Sequence, residues 1–394
     1  MKQNLEGVFS RIDALNEETI QHRRYLHQYP ETGEHTENTE RYIKEFLQKQ
    51  NIELLDLGIG VTGYIPGVRH DKVLALRADL DALPIQENGC PVYRSKNSGI
   101  MHACGHDGHV AMLLTAAKVL KEYSSLLEND VLLLFQPLEE GPGSGAKIMA
   151  ERLNKMEIGK KIQHISAFHL TNEYEVGMIA GKYGSCMGST DDINLTVKGV
   201  GGHVGLPHFA TDAISIGAKI ITQIEVFLLK GIDPSEPIVL SFGKFQSGTQ
   251  RATIAETARL EGSMRCISEE TRKLAKEGIA RIVKGICESW DCDYTLDLRE
   301  DVPVLVTDKD VMNRNMNLFK DFLGKENIEI QSTAKMTAED FSFFGKYWPV
   351  SFIWIGAGNK EKGLTAELHN ANFDFDEAAL SVGAKLHCIS VIKK

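Results

Sequence analysis

The main indication of the fold comes from residues 101–141, MHACGHDGHVAMLLTAAKVLKEYSSLLENDVLLLFQPLEEG. Residues 109–123 have the apolar spacing of a helix, and Val131–Phe135 is a strand-sized apolar run. Histidine, cysteine and carboxylate residues cluster at the start of the helical pattern and directly after the apolar run. The stretch therefore predicts a helix followed by a buried strand, with candidate functional residues at both junctions.

Similar apolar runs alternate with helical patterns in much of the chain. They comprise Val73–Leu76, Ile165–Leu170 and Phe352–Ile355. This alternation is typical of an α/β fold, in which ligands bind beyond the carboxyl ends of the strands. Residues 188–299 have a different order, βαββαβ, which is that of a ferredoxin-like unit. We therefore expect a mixed sheet with helices on both faces, formed by residues 1–187 and 300–394, and an inserted α+β domain of residues 188–299.

Composition and charge exclude several classes of protein. The chain has 394 residues and a net charge of −10, a balance that disfavours nucleic acid and anionic membranes as partners. No apolar run approaches the roughly 18 residues of a membrane-spanning helix. The N-terminal residues lack the apolar core of a secretory signal, and an odd number of cysteines, seven, argues for free thiols. We expect a cytoplasmic protein.

The segment Met101–His109 holds three histidines and one cysteine. Thiolate and imidazole groups are the ligands that zinc prefers. Residues two apart in an extended loop point the same way, so Cys104 and His106 are candidates to bind one ion. The alternatives are a buried cysteine with capping histidines, or a closed structural zinc site.

Two adjacent carboxylates, Glu139 and Glu140, follow the predicted strand Val131–Phe135. Such neighbours repel each other unless a cation lies close by. One of them could bind a metal ion while the other acts on a water molecule. The alternative is a solvated acidic turn.

Other polar residues also stand at predicted strand ends. Asp79 and Asp81 could orient ligand histidines, or could simply pair with Arg77 as loop acids. His169 and His369 are isolated in the sequence, and on their own they indicate only structural histidines.

Together these residues resemble the aminoacylase/carboxypeptidase-type zinc metallopeptidase family. Within it they resemble the amidohydrolase branch, which contains hippurate hydrolases, N-acyl-amino-acid deacylases and auxin-conjugate hydrolases. The matching motifs are Leu26–Glu31, Arg77–Pro84, His102–His109, Gln136–Gly141, Gly201–His203 with Pro207–His208, Glu339–Phe341, Leu368–Asn370 and Phe373–Glu377. They cover nearly the whole chain, and the pair CGHDGH and EEG is highly specific.

The resemblance implies a zinc-exopeptidase-like catalytic domain and two divalent metal ions, zinc foremost, with manganese, cobalt or nickel as alternatives. The implied metal ligands are Cys104, His106, Glu140, His169 and His369. Glu139 is implied as the general base, and Asp79 is expected beside it among the catalytic residues. Residues 188–299 are implied to be a lid that forms a homodimer, through which His203 reaches the partner's active site; a higher homo-oligomer is the alternative assembly.

The expected reaction is hydrolysis of an amide bond in an N-acyl amino acid or small peptide, by a water molecule activated by the metal. His203 and Arg265 are candidate substrate contacts, Arg265 for a carboxylate, with a surface ion pair as its alternative role. A peptidase of di- or oligopeptides and a metal-binding scaffold without turnover are the rival functions. Ala252–Ala255 departs from the Asn-x-Ile-Pro stretch of the family, so the sequence leaves substrate specificity open.

Overall fold

The structure, a computed structural model, describes residues 2–33, 35–89, 91–141 and 143–392, without the side chains of residues 2–4. The chain divides into two compact units. The first unit comprises residues 1–184, 306–333 and 340–394, and the second comprises residues 185–305 and 334–339. No helix in these described ranges is both long enough and apolar enough to cross a membrane.

The described chain forms helices and strands in the following order. The helices are α1 (Lys2–Ala14), α2 (Asn16–Gln28), α3 (Glu37–Lys49), α4 (His106–Glu122), α5 (Gly145–Lys155), α6 (Ala213–Gly231), α7 (Glu269–Ser289), α8 (Lys309–Leu323) and α9 (Ala378–Val391). The strands are β1 (Glu53–Leu55), β2 (Val61–Ile65), β3 (Arg69–Asp79), β4 (Asn129–Gln136), β5 (Ile162–Glu175), β6 (Ile179–Gly181), β7 (Gly184–Met187), β8 (Thr190–Lys198), β9 (Gly202–His203), β10 (Ile238–Ser247), β11 (Thr253–Ile254), β12 (Thr257–Cys266), β13 (Asp293–Val302), β14 (Leu305–Thr307), β15 (Ile328–Ile330) and β16 (Val350–Gly358).

The first unit is built on a mixed sheet of eight strands, in the order β1-β2-β4-β3-β5-β16-β6-β15. Its central strands β3, β4, β5 and β16 run parallel, and they are apolar on both faces because helices cover the sheet. Asp79 of β3 lies level with Gln136 of β4. The carboxyl ends of β3 and β4 therefore meet at one edge, and the residues that follow them lie there together.

The second unit is a four-stranded antiparallel sheet, in the order β10-β12-β8-β13, with α6 and α7. Alternate residues of β8, such as Ile193, Leu195 and Val197, pack in one core with Ile220 of α6 and Ile279 of α7. This is the ferredoxin-like arrangement that the order βαββαβ predicts. The α/β fold class with a second, ferredoxin-like unit is confirmed.

Candidate metal centre

The candidate site lies in the first unit, at the carboxyl edge of its parallel strands. Asp79 ends β3, Glu139 and Glu140 follow β4, and His169 lies on β5. Cys104 directly precedes the turn into α4.

The backbone between Cys104 and His106 is not the extended loop that the sequence suggested. Gly105, between them, has a φ of +85°, and His106 is already the first residue of α4. A left-handed turn of this kind favours glycine, because a side chain there would be strained. The extended geometry was therefore a wrong premise, although the two side chains do lie close together.

The five side chains that the resemblance implied as ligands form one cluster. The ligand atoms of Cys104, His106 and Glu140 all lie within 4.8 Å of one another. The Nε2 atom of His169 is 3.6 Å from the sulfur of Cys104, and Nε2 of His369 is 3.1 Å from Oε1 of Glu140. The cluster therefore brings together residues from four separate parts of the sequence.

Hydrogen bonds fix the tautomers of two histidines in the cluster. Nδ1 of His106 lies 2.8 Å from the carbonyl oxygen of Asp81, and Nδ1 of His169 lies 2.7 Å from that of Leu170. Because a carbonyl only accepts, each Nδ1 carries the proton, and each Nε2 offers a lone pair to the cluster. Within the described residues, the buried Nε2 of His106 has no hydrogen-bond partner. These atoms therefore fit a metal ion.

His109 is close to the cluster but is held in the opposite tautomer. Its Nε2 accepts the backbone N–H of Leu170 at 2.8 Å, so its Nδ1 carries the proton and donates to Asp79. Both ring nitrogens are thereby used, which leaves no lone pair for a metal ion. The ring of His109 packs against those of His106 and His169, with centres 5.3 and 4.5 Å apart, a supporting role that the sequence analysis did not assign to it.

Burial sets the charge state of the cluster. It raises the pKa of the Cys104 thiol well above its ordinary value, and the nearby carboxylates of Glu140 and Glu139 raise it further. Burial likewise lowers the pKa values of His106 and His169, which favours neutral imidazoles. Neutral imidazoles are ready ligands, whereas the thiol ionises only beside a cation. The donor set therefore matches a divalent metal ion.

Asp79 pairs with Arg77, one of the two roles that the sequence left open, and it also holds His109, which packs against the rings of His106 and His169. One carboxylate oxygen accepts from Arg77 at 2.6 Å, and the other accepts from His109. Arg77 in turn is held by Gln136 at 2.8 Å and by Asp340 at 3.2 Å. Burial opposes the charge on Asp79, but Arg77 and the histidines outweigh it and hold its pKa well below the usual range.

Asp81 holds the turn that carries the two glutamates. Its carboxylate oxygens accept the backbone N–H groups of Glu139 at 3.1 Å and of Glu140 at 3.0 Å. The residue before them, Leu138, has a φ of +57°, a strained value for a side chain other than glycine. The carboxylate of Asp81 thus stabilises a turn that would otherwise relax.

The loop that carries His369 is held at several points. The backbone N–H of His369 donates to the carbonyl of Ala103 at 2.8 Å, beside Cys104. The side-chain amide of Asn172, on β5, donates to the carbonyls of Ala366 and Asp374, at 2.8 and 2.9 Å. The side chain of His369 itself is 53% exposed, so these bonds, and not burial, set its position.

His203 and Arg265 belong to the second unit. His203 lies on β9 and is exposed, and its Nδ1 accepts the backbone N–H of Gly205 at 3.0 Å. Arg265 lies on β12, and its guanidinium donates to the hydroxyl of Thr190. Their roles toward a substrate stay predictions.

The orienting role of Asp79 can be tested by Asp79→Asn. The change replaces an acceptor oxygen by a donor amide that faces Arg77 or His109, and a displaced His109 would disturb the rings of His106 and His169 that pack against it. We therefore expect affinity for a divalent metal to fall roughly 10- to 100-fold. Titration calorimetry on chelator-treated protein measures this. The control is Asp71→Asn, on the same strand but exposed and paired with Arg69, which should leave affinity unchanged. Equal affinities in all three proteins would contradict the role.

Comparison with known proteins agrees with this geometry. The sequence profile of peptidase family M20/M25/M40 matches residues 75–392. Thermostable carboxypeptidase 1 of Saccharolobus solfataricus is 33% identical, over 99% of this chain and 98% of that protein. N-acetyldiaminopimelate deacetylase of Brevibacillus brevis is 34% identical, over 92% of this chain and 94% of that protein.

A solved structure extends the similarity to three dimensions. It is that of the Bacillus subtilis YXEP protein, a dinuclear metal-binding peptidase of the M20 family, with a TM-score of 0.83 and 28% identity over 96% of this chain and 98% of that one. The resemblance inferred from the motifs is confirmed. The chain belongs to peptidase family M20/M25/M40 and is a metal-dependent hydrolase of amide or peptide bonds.

Proposed function

We propose that this enzyme hydrolyses N-acyl amino acids at a site with two divalent metal ions. The proposed ligands are Cys104, His106, Glu140, His169 and His369. The main support is that these five side chains lie close together, and that the buried His106 and His169 each direct an Nε2 lone pair into the cluster. The similarity to an N-acetyldiaminopimelate deacetylase supports an N-acyl amino acid as the substrate.

The donor set favours zinc, because a thiolate from Cys104 joins the imidazoles. Manganese, cobalt and nickel are the alternatives that carboxylate and imidazole ligands also admit. When bound, the metal ions polarise the substrate carbonyl and lower the pKa of a water molecule.

Glu139 is the proposed general base. Two observations support this role: Asp81 holds the backbone of Glu139 beside the proposed ligand Glu140, and the charge of Glu139 is near enough to Cys104 to raise the pKa of its thiol. The Glu139 carboxylate takes a proton from the attacking water and delivers it to the leaving amine. Asp79 supports this chemistry indirectly, because it orients His109 and faces His106, whose Nε2 lies 3.7 Å away.

His203 is the proposed hydrogen-bond donor to the oxyanion. Because Nδ1 accepts from Gly205, the neutral ring carries its proton on Nε2, which makes that atom a donor. We propose that a partner subunit supplies this histidine. Arg265 is proposed to bind the substrate carboxylate through its planar guanidinium.

The proposed homodimer forms through the second unit. Strand β10 is at an edge of the four-stranded sheet and exposes Val239 and Phe245. Helix α6, which follows β8 and β9 in the chain, exposes Val226 and Leu229, the latter to 71%. An unpaired edge with apolar side chains is a surface that a second copy can cover.

The second candidate function is cleavage of di- or oligopeptides. The 33% identity to a thermostable carboxypeptidase over nearly the whole chain favours it. Parallel assays with N-acetyl and N-benzoyl amino acids, dipeptides and longer peptides distinguish the two functions.

We also propose a reducing, cytoplasmic location. Six cysteines among the described residues form no disulfide bond, and a thiolate ligand at Cys104 requires that it stay reduced.

Glu139→Gln tests the proposed base. The variant keeps its size but cannot accept the proton, so kcat on the best substrate of the panel should fall roughly 10²- to 10⁴-fold with normal metal content. Glu140→Gln is the matched control, and it should lose bound metal, as measured by elemental analysis. Full turnover by Glu139→Gln would refute its role, and activity that survives complete chelation would refute the metal-dependent mechanism.

Mixed dimers test whether His203 acts in the partner's site. Glu139→Gln and His203→Ala are each expected to be inactive as homodimers. Random reassociation of the two should restore about a quarter of wild-type activity, because half of the dimers are hybrids and each hybrid has one complete site. Hybrids that form but stay inactive would contradict a role in trans.

A further inference from the structure

Arg23 of helix α2 is a fully buried arginine that precedes the segment matched by the family profile. Its Nε donates to a carboxylate oxygen of Asp107 at 2.9 Å, and its Nη2 donates to Asp374 at 2.6 Å. The guanidinium carbon lies 4.5 Å from the ring centre of Tyr93 and 4.3 Å from that of Phe375. The charged group thus packs against two rings and pairs with these two carboxylates, and its remaining nitrogen, Nη1, donates to a third, Glu377.

The two carboxylates belong to the two segments that carry separate metal ligands. Asp107 directly follows His106 in the first turn of α4. Asp374 lies in the loop between β16 and α9 that also contains His369, and its backbone carbonyl accepts a hydrogen bond from Asn172. One side chain therefore connects segments that are far apart in the sequence.

We propose that Arg23 is a positioning residue that fixes His106 and His369 relative to each other, and with them the geometry of the metal centre. The inference rests on the ligands proposed above. His369 needs such an anchor, because its side chain is 53% exposed and its backbone has a φ of +64°. Without a fixed Asp374, the loop would lose a main contact to the body of the first unit.

Arginine suits this role better than lysine. Its planar fork donates in several fixed directions, here to Asp107, to Asp374 and, from Nη1, to Glu377 at 3.2 Å. The ammonium group of a lysine has one nitrogen, so it cannot contact Asp107 and Asp374 in the same way at the same time. Tyr93 completes the arrangement, since its hydroxyl donates to the second oxygen of Asp374 at 2.8 Å.

The test compares Arg23→Lys with Arg24→Lys. Arg24, the next residue of the same helix, is 40% exposed and shares two neighbours with Arg23, Glu377 at 2.9 and 2.6 Å and the ring of Tyr93 at 4.9 Å. Among the described residues it has no hydrogen bond to Asp107 or Asp374, so the pair isolates the effect of these two contacts. Each purified full-length protein is freed of bound metal with a chelator and then titrated with Co²⁺. The visible absorption spectrum of bound Co²⁺ is recorded, because it depends on the ligands and their geometry. We expect Arg23→Lys to bind at least one ion roughly 10- to 100-fold more weakly and to show an altered spectrum per bound ion, and Arg24→Lys to match wild type.

A second variant covers the case in which Arg23→Lys does not fold. Asp374→Asn removes the charge of a partly exposed side chain, leaves Arg23 paired with Asp107, and should also weaken binding of one ion and change the spectrum. The inference is overturned if folded Arg23→Lys binds Co²⁺ like wild type. It is also overturned if Arg23→Lys is unfolded and Asp374→Asn matches wild type. Absence of Co²⁺ binding by wild type would instead refute the proposed metal site itself.

Discussion

A buried thiol, two buried imidazoles and a carboxylate share one small volume at the edge of the central sheet, and within the described residues the lone pair on Nε2 of His106 has no hydrogen-bond partner there. Burial and neighbouring carboxylates keep the Cys104 thiol protonated. A divalent ion reverses that preference, because it stabilises the thiolate and uses the lone pairs of the neutral imidazoles. Much of the surrounding structure holds these donors in place.

The surrounding groups act mostly through backbone atoms and buried carboxylates. Carbonyl oxygens of Asp81 and Leu170 set the tautomers of His106 and His169, and the side chain of Asp81 fixes the turn of the two glutamates. Since these groups lie on strands or directly after them, the rigid sheet defines their positions. The loop of His369 lies on no strand, and it is held by Asn172 of β5, by the carbonyl of Ala103 and, in our proposal, by Arg23.

The sequence predicted most of the fold because its apolar patterns are local. The strand Val131–Phe135 and the helices and strands of residues 188–299 lie within a few residues of the observed elements. Helix α1 was not predicted. Nor did the sequence indicate that residues 334–339 belong to the second unit, since their packing depends on contacts far away in the chain.

The candidate site was predicted less completely. Periodicity and spacing pointed to Cys104 and His106, but His169 and His369 were recognised only through the family resemblance. The roles of His109 and Asn172 depend on which atoms meet in three dimensions, and no sequence pattern encodes that. Arg23 did leave a signal, because it shares a helix face with the buried residues Thr19, Leu26 and His27, where a charge is unusual.

A crystal structure of the metal-loaded protein, with anomalous scattering measured at the absorption edge of the bound metal, shows directly whether the five proposed ligands hold two ions. We expect two anomalous peaks about 3.5 to 4 Å apart, within bonding distance of Cys104, His106, Glu140, His169 and His369. Peaks elsewhere, or an empty cluster in protein that is saturated with metal and active, would contradict the proposed metal centre.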